Sequence, residues 1–227
     1  MFDRVILATM LSAPPPTLPH AQPSLFGHGP PSFDDGFHRL ERIQLSRGAW
    51  IDHQPGWLNG HDTLFEQLAN AVRWECHDRA MYDRIVQVPR LTGSLASHET
   101  SQSGLPEPEE GQAVVRAMAE ALNNRYDYSF DQIGLSLYRD GSDSVAWHGD
   151  QVARERLTAL VATVSLGEPR PFRLRPKTGG PGRSLLLGHG DLVVMGGTCQ
   201  RTWEHCVPKV ARAGPRLVIM FRPQWVS

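Results

Sequence analysis

The spacing of apolar positions changes along the chain and divides it into three stretches. Between residues 61 and 130 they recur every third or fourth position. Leu64, Phe65, Leu68 and Val72, with Cys76 extending the row, predict one amphipathic helix, and Asp62 stands where an N-cap would. Val114, Met118, Ala121 and Leu122 predict a second helix over Gln112–Asn124, ended by Asn123-Asn124. Between the two lie a short strand, Arg84–Pro89, and a polar loop, Thr92–Glu110. From residue 131 the period becomes two. The candidate strands are Ile133–Arg139, Val145–His148, Leu157–Leu166, Pro171–Arg175, Ser184–Leu187, Asp191–Met195, Trp203–Val207 and Arg216–Phe221. Asp140-Gly141, Gly179-Gly180, Gly188, Gly196-Gly197 and Gly214-Pro215 punctuate them. The first 60 residues follow neither period. Pro14 to Pro16, Pro19, Pro23, Pro30 and Pro31 sit there among Gly, Ser and His, which predicts extended coil wrapping the following domain, with short strands near Phe37–Leu45.

About eight short strands in so little chain predict a closed barrel or a double-sheet jelly roll. The expected fold class is therefore α+β, mainly β: a double-stranded β-helix (jelly roll) with helices packed on one sheet and a Pro-rich N-terminal arm. The arm covers residues 1–60, the folded domain 61–227 and its jelly roll about 131–227.

Composition narrows the function classes. Hydrophobic residues make 40% and charged residues 21%, a globular balance that excludes wholesale disorder. With 23 Lys+Arg against 24 Asp+Glu the net charge is −1, which excludes a uniformly basic coat but not a local basic groove. Cys76, Cys199 and Cys206 form no Cys-x-x-Cys pair, so a zinc ribbon, a redox dithiol and a disulfide scaffold are not expected, and a cytoplasmic location is. No apolar run approaches the ~18 residues of a membrane span, so no membrane partner is expected. Val5–Met10 is apolar after Arg4 but lacks a cleavage site, and reads as an N-terminal strand or arm. A monomer is expected.

Within the β region, His148 and Asp150 end the segment YRDGSDSVAWHGD. In extended chain, positions i and i+2 point the same way, so one imidazole and one carboxylate can reach one ion. His205, in TWEHCVPK, supplies a third ligand, and two His with one carboxylate form the facial triad that leaves positions open on iron. His189-Gly190-Asp191 repeats the same three letters, but it follows Gly188 and opens an apolar strand, which suits a turn. The last strand puts Arg216, Val218, Met220 and Arg222 on one face and Leu217, Ile219 and Phe221 on the other. Two guanidinium groups on an apolar strand either end in solvent or clamp a dicarboxylate.

The segments SLYRDGSDSVAWHGD (136–150), GDLVVMGGTCQRTWEHCVPK (190–209) and RLVIMFR (216–222) together resemble the AlkB family of Fe(II)- and 2-oxoglutarate-dependent dioxygenases. VSLGEPRPFRLRPK (164–177) resembles that family's central strands, and PRLTG (89–93) its nucleotide-recognition segment, about 80–110. The resemblance covers roughly residues 84–222. It implies that His148, Asp150 and His205 bind Fe(II), that Arg216 pairs with the distal carboxylate of 2-oxoglutarate, that Arg222 sits near its chelating end, and that Tyr138 donates to it. It further implies that O₂ and 2-oxoglutarate give succinate, CO₂ and an oxidant that hydroxylates an N-methyl carbon. The product then releases formaldehyde and the repaired base. The implied partner is methylated DNA or RNA, single-stranded, with lesions of the 1-methyladenine and 3-methylcytosine type.

The sequence departs from the family pattern at several positions. Ser136 replaces an Asn, Val218 and Met220 replace polar residues, and Gln151-Val152 follow the His-x-Asp pair where acidic residues are common. Gly93-Ser94 stands where a base-stacking aromatic is expected; Trp74, Tyr82 and Trp147 are the candidate substitutes. Tyr82, Arg90 and Thr92 are candidate substrate contacts. So are Arg173 and Arg175, from a basic cluster that also holds Arg170, Lys177 and Arg183 and reads as a phosphate-contacting rim or a solvated strand face. These departures keep two alternatives open: an oxygenase acting on a protein or small-molecule substrate, and a non-catalytic metal-binding jelly-roll module.

Overall fold

The period-two segments pair into two facing antiparallel sheets. The computed structural model describes residues 27–76, 78–81, 84–95, 110–150, 152 and 155–223. In chain order the strands are β1 (Ser32–Phe33), β2 (Glu41–Gln44), β3 (Ala49–Gln54), β4 (Leu58–Asn59), β5 (Asp78–Met81), β6 (Arg84–Gln87), β7 (Leu91–Ser94), β8 (Gln132–Tyr138), β9 (Val145–His148), β10 (Val161–Gly167), β11 (Arg170–Pro176), β12 (Arg183–Leu187), β13 (Asp191–Gly197), β14 (Trp203–Val207) and β15 (Arg216–Arg222). The helices are α1 (His61–Ala71), α2 (Glu110–Tyr126) and the short α3 (Cys199–Thr202).

The larger sheet runs β2-β3-β13-β10-β15-β8-β7 and the smaller β12-β11-β14-β9. Strands β8 to β15 are thus split evenly between the two, the jelly-roll arrangement the alternation predicts. Strand β15 shows how alternation builds both layers. Leu217, Ile219 and Phe221 are fully buried with Leu64, Phe65 and Leu68 of α1 and Met118 and Leu122 of α2. Val218, on the opposite face, packs with Phe172, Leu174, Val193, Met195 and Trp203 between the sheets. Each such side chain is worth about 1.5–3 kcal/mol over leaving it in water. The helices therefore cover one face of the larger sheet, and the space between the sheets is left for a site. Among the described residues no helix is long and apolar enough to cross a membrane.

Several local expectations are corrected. Residues 41–54 are not arm: β2 and β3 extend the larger sheet beside β13, and Trp57 and Leu58 are buried in its core. Pro14 to Pro23 lie outside the described residues. Asp62 is not the N-cap. Gly60 holds that position at φ 64°, and Asp62 sits buried in the first turn, 3.0 Å from His61 Nδ1. The first helix buries its stripe as far as Val72, while Cys76 is exposed. Leu157 is 71% exposed and the strand begins only at Val161, because the apolar run from 157 lacks a partner strand before that point. Thr92–Ser94, expected within the polar loop, instead belongs to β7, which pairs with β8.

A polar network fastens α2 to the sheet edge. Asp52, 2% exposed, accepts from Arg42 Nε at 2.7 Å and Nη2 at 2.8 Å and from the Tyr126 hydroxyl at 2.8 Å. The Arg42 guanidinium lies 3.8 Å over the Trp50 ring, and burial beside this carboxylate pushes the Tyr126 hydroxyl well above its ordinary range. Tyr126→Phe is expected to cost about 1–2 kcal/mol, because it leaves one buried carboxylate lone pair without a donor while keeping the ring contacts. Urea unfolding would show this as a lower midpoint at unchanged m-value.

Candidate metal centre

Strands β9 and β14 are neighbours in the smaller sheet, and their register places His148 directly opposite His205. The two rings lie 4.2 Å apart, centroid to centroid. Asp150 follows two residues past His148. One ligand atom from each of the three residues lies within 4.8 Å of the others. Asp150 Oδ2 is 3.5 Å from His205 Nε2, and Oδ1 accepts from Arg222 Nη2 at 2.9 Å. His148 Nδ1 sits 2.8 Å from the Ala146 carbonyl, which only accepts, so Nδ1 carries the proton and Nε2 is free for an ion. Burial pulls His205 down to about 4, so its imidazole is neutral at physiological pH, the form a metal requires.

The corner that carries Asp150 is held by α3. Gln200, 3% exposed, accepts from the Asp150 N–H at 2.8 Å. A Cβ on Gly149 would lie 2.7 Å from the Gln200 carbonyl oxygen, so only glycine lets the corner seat. Gln200 is a residue the spacing of His and Asp could not single out.

These three candidate ligand residues line a cavity between the sheets. Ser136, Tyr138, Arg90, Arg216, Val218, Met220 and Arg222 line it as well. Arg216 is not at a solvent-exposed strand end: it is 2% exposed, and burial pulls its guanidinium down to about 10. Its Nη2 donates to Ser165 Oγ at 2.8 Å, but Nε and Nη1 are buried with no partner, as are Nε of Arg222 and of Arg90. Unpaired buried donors are costly, so a cavity lined by three arginines that each keep one or more is suited to an anion. Tyr138 stands beside Arg216, whose Cζ is 5.3 Å from its ring. The residues present thus fit both a metal ion and a dicarboxylate chelator.

Other sequence-selected residues fall elsewhere. Tyr82 lies outside the described residues. Thr92 pairs with Ser136 across the strands but is not among the cavity's lining. Trp74 packs on the helix core and donates to the Ala69 carbonyl at 2.9 Å. Gly93 lacks a side chain for a local reason, since a Cβ there would collide with Val72, 2.4 Å away. Arg173 and Arg175 are exposed on the face of β11 opposite Leu174, which pairs with His205, so they do not reach the cavity. Arg175 is held by Glu204 at 2.9 Å and covers the Trp147 ring at 4.2 Å. Arg170 does not belong to the basic rim. It is fully buried and donates to the carbonyls of Asp140, Asp143 and Pro208. His189-Gly190-Asp191 is a turn, with His189 at φ 46° and Asp191 accepting from the Gly56 N–H at 2.8 Å.

A jelly roll with two histidines, one carboxylate and buried unpaired guanidinium groups in one cavity defines a class. A family model described as the 2OG-Fe(II) oxygenase superfamily matches residues 55–222. Over 216 residues the chain is 38% identical to the DNA oxidative demethylase ALKBH2 of Arabidopsis thaliana, covering 82% of this chain and 67% of the relative. It is 30% identical to alpha-ketoglutarate-dependent dioxygenase alkB homolog 3 of Bos taurus, over 74% of this chain and 64% of that one. The structure of OsALKBH1 shares the fold, with TM-score 0.53 at 16% identity, covering 81% of this chain and 100% of that one. The chain belongs to the 2-oxoglutarate/Fe(II) oxygenase superfamily and, within it, to the AlkB family. Its match spans just under two thirds of the bovine relative's length.

Proposed function

We propose that the protein is an Fe(II)- and 2-oxoglutarate-dependent dioxygenase that demethylates alkylated nucleic-acid bases of the 1-methyladenine and 3-methylcytosine type, on single-stranded DNA or RNA. The observation that carries the reading is the buried, unpartnered Nε and Nη1 of Arg216, in the same cavity as the His148, Asp150 and His205 ligand atoms. The names of the relatives, a DNA oxidative demethylase and an alpha-ketoglutarate-dependent dioxygenase, support it. Bound iron and 2-oxoglutarate supply the two-electron oxidation of the N-methyl carbon, after which the hydroxymethyl group leaves as formaldehyde.

In this reading His148 Nε2, an Asp150 oxygen and His205 Nε2 would hold the ion, three protein ligands being the set that suits an oxygen-activating iron. Arg216, steadied by Ser165, takes the distal carboxylate in its two unpaired donors. Tyr138, beside Arg216, would donate to the co-substrate, and Arg222 orients Asp150 through the 2.9 Å contact. Val161, Val218 and Met220 make an apolar lining that keeps water from the reacting carbon. Gly149→Ala should weaken Fe(II) binding about tenfold or more without unfolding the chain, because the new Cβ pushes the Asp150 corner off α3. Fe(II) titration beside a circular dichroism spectrum checks both halves of that expectation.

The test of the function is aerobic incubation with Fe(II), 2-oxoglutarate and a single-stranded oligonucleotide carrying 1-methyladenine. Loss of one methyl mass with matching succinate, abolished in His148→Ala, is the expected result. Succinate without methyl loss moves the substrate to another class, and neither product with iron bound leaves a non-catalytic module.

A further inference from the structure

We propose that Arg170 is a positioning residue for the co-substrate: its buried charge, which no carboxylate neutralises, joins that of Arg216, so that the distal carboxylate of 2-oxoglutarate is the shared counter-ion of two guanidinium groups. The inference rests on the oxygenase reading above and adds a residue that does not itself line the cavity.

Strand pairing brings the two arginines together. Arg170 opens β11 and alternates inward with Phe172, which lines the cavity. Arg216 opens β15, opposite Tyr138 of β8 on one side and Gly167 of β10 on the other. Gly167 stands three residues before Arg170 at φ 76°, and a Cβ there would lie 2.6 Å from the Pro215 carbonyl oxygen. Glycine is what lets the β10–β11 turn close against the start of β15. One ring then has both cations beside it. Arg216 Cζ is 5.3 Å and Arg170 Cζ 5.9 Å from the centre of Tyr138. All three side chains are buried.

Arg170 is held by neutral partners. Its Nη1 donates to the Asp140 carbonyl at 2.9 Å, and its Nη2 to the carbonyls of Asp143 at 2.9 Å and Pro208 at 2.8 Å. Such dipoles stabilise the cation but leave its whole charge in place. The Asp143 carboxylate is taken by Arg139, with contacts of 2.8 Å to Nε and Nη2, and the Asp140 carboxylate by Ser142. Among the described residues Arg170 forms no ion pair, and its Nε is buried with no partner. Burial pulls this guanidinium below the ordinary arginine range despite the two aspartates nearby. The two cations also oppose each other: burial, and after it the Arg170 charge, pull Arg216 down.

Two repelling charges are costly to bury, and an apolar side chain at position 170 would avoid that cost. Tying three carbonyls together does not require a charge. A dicarboxylate seated on Arg216 relieves both charges at once, because a field is weakly screened in a dry interior. Arg216 supplies the contact and Arg170 the added potential behind it.

The experiment measures, by calorimetry without O₂, how the Fe(II)-loaded full chain binds 2-oxoglutarate and pyruvate. Pyruvate keeps the 2-oxo acid group and lacks the distal carboxylate. The variants are Arg170→Gln and Arg170→Lys, which both keep donors for the carbonyls, while only Lys keeps the charge. Arg170→Gln is expected to bind 2-oxoglutarate about tenfold or more weakly, and pyruvate within about twofold of the unaltered chain. Arg170→Lys is expected to bind both within about threefold. An equal loss for pyruvate means a distorted cavity and overturns the proposal. So does Arg170→Gln with unchanged 2-oxoglutarate affinity, or Arg170→Lys as weak as Arg170→Gln. If circular dichroism shows that Arg170→Gln does not fold, Arg170→Lys decides: affinity kept within about threefold supports the shared counter-ion, and a loss of about tenfold overturns it. All these outcomes leave the oxygenase reading standing. An unaltered chain that binds no 2-oxoglutarate overturns that reading and the proposal with it.

Discussion

Asp150→Ala is expected to weaken Fe(II) binding by about 100-fold or more and to lower turnover by about a thousandfold. The carboxylate is the one anion among the cavity-lining residues, set against Arg90, Arg216 and Arg222. Removing it takes away a proposed ligand and also leaves the Arg222 guanidinium beside His148 and His205 without its carboxylate partner. A divalent cation then meets net positive charge where it met a carboxylate. Asp150→Asn separates the two effects, since it keeps the shape and loses the charge. Both variants should fold, because Asp150 holds α3 through its backbone N–H and not its side chain. Fe(II) titration followed by succinate assay measures the loss. Unchanged iron affinity in Asp150→Ala would sink the ligand assignment.

The second large effect joins stability to function. Arg216→Met should raise the apparent KM for 2-oxoglutarate by about 100-fold or more. The same change should stabilise the ligand-free chain by about 1 kcal/mol or more, since replacing a buried, poorly paired charge with an apolar side chain is commonly favourable. The pKa gives the sign. Burial holds the folded-state value at about 10, well below the ordinary arginine range. Folding therefore disfavours the charged form, and this penalty is present at every pH below about 10 and is relieved only as pH rises through it. A residue kept for stability would show the opposite, so a strongly destabilised Arg216→Met with unchanged KM would falsify the clamp. Urea unfolding without 2-oxoglutarate and initial rates at varied 2-oxoglutarate give the two numbers.

Two features were readable in residue order and three were not. The β15 alternation separated Leu217, Ile219 and Phe221 from Arg216, Val218 and Met220, and the structure packs the first three under the helices and Val218 and Met220 between the sheets. The two His-x-Asp pairs were told apart by their neighbours: Gly188 marked the turn at His189, whereas His148 closed an apolar strand. Arg170 escaped because composition grouped it with Arg173 and Arg175. Its alternation with Phe172 and Leu174 was the signal that it points inward. Gln200 carried no signal, since its role depends on a contact 50 residues away in sequence. The inclusion of residues 41–54 in the larger sheet was hidden for the same reason. A short edge strand such as β2 has little periodicity of its own and is defined by the backbone of β3, which in turn pairs with β13.

Local chemistry was therefore written in residue order: the strand and helix periods, the side chains able to bind a metal, and the arginine pair with its apolar opposite face. These depend on neighbours two to four positions apart, which a linear reading contains. Only folding decided that His205 faces His148, that Asp150 is clasped by Arg222 and Gln200, and that Arg216 keeps unpaired donors beside them. Those facts come from strand pairing between distant segments and from exclusion of water, and burial converts a common residue type into a site by leaving its polar atoms nothing else to bind.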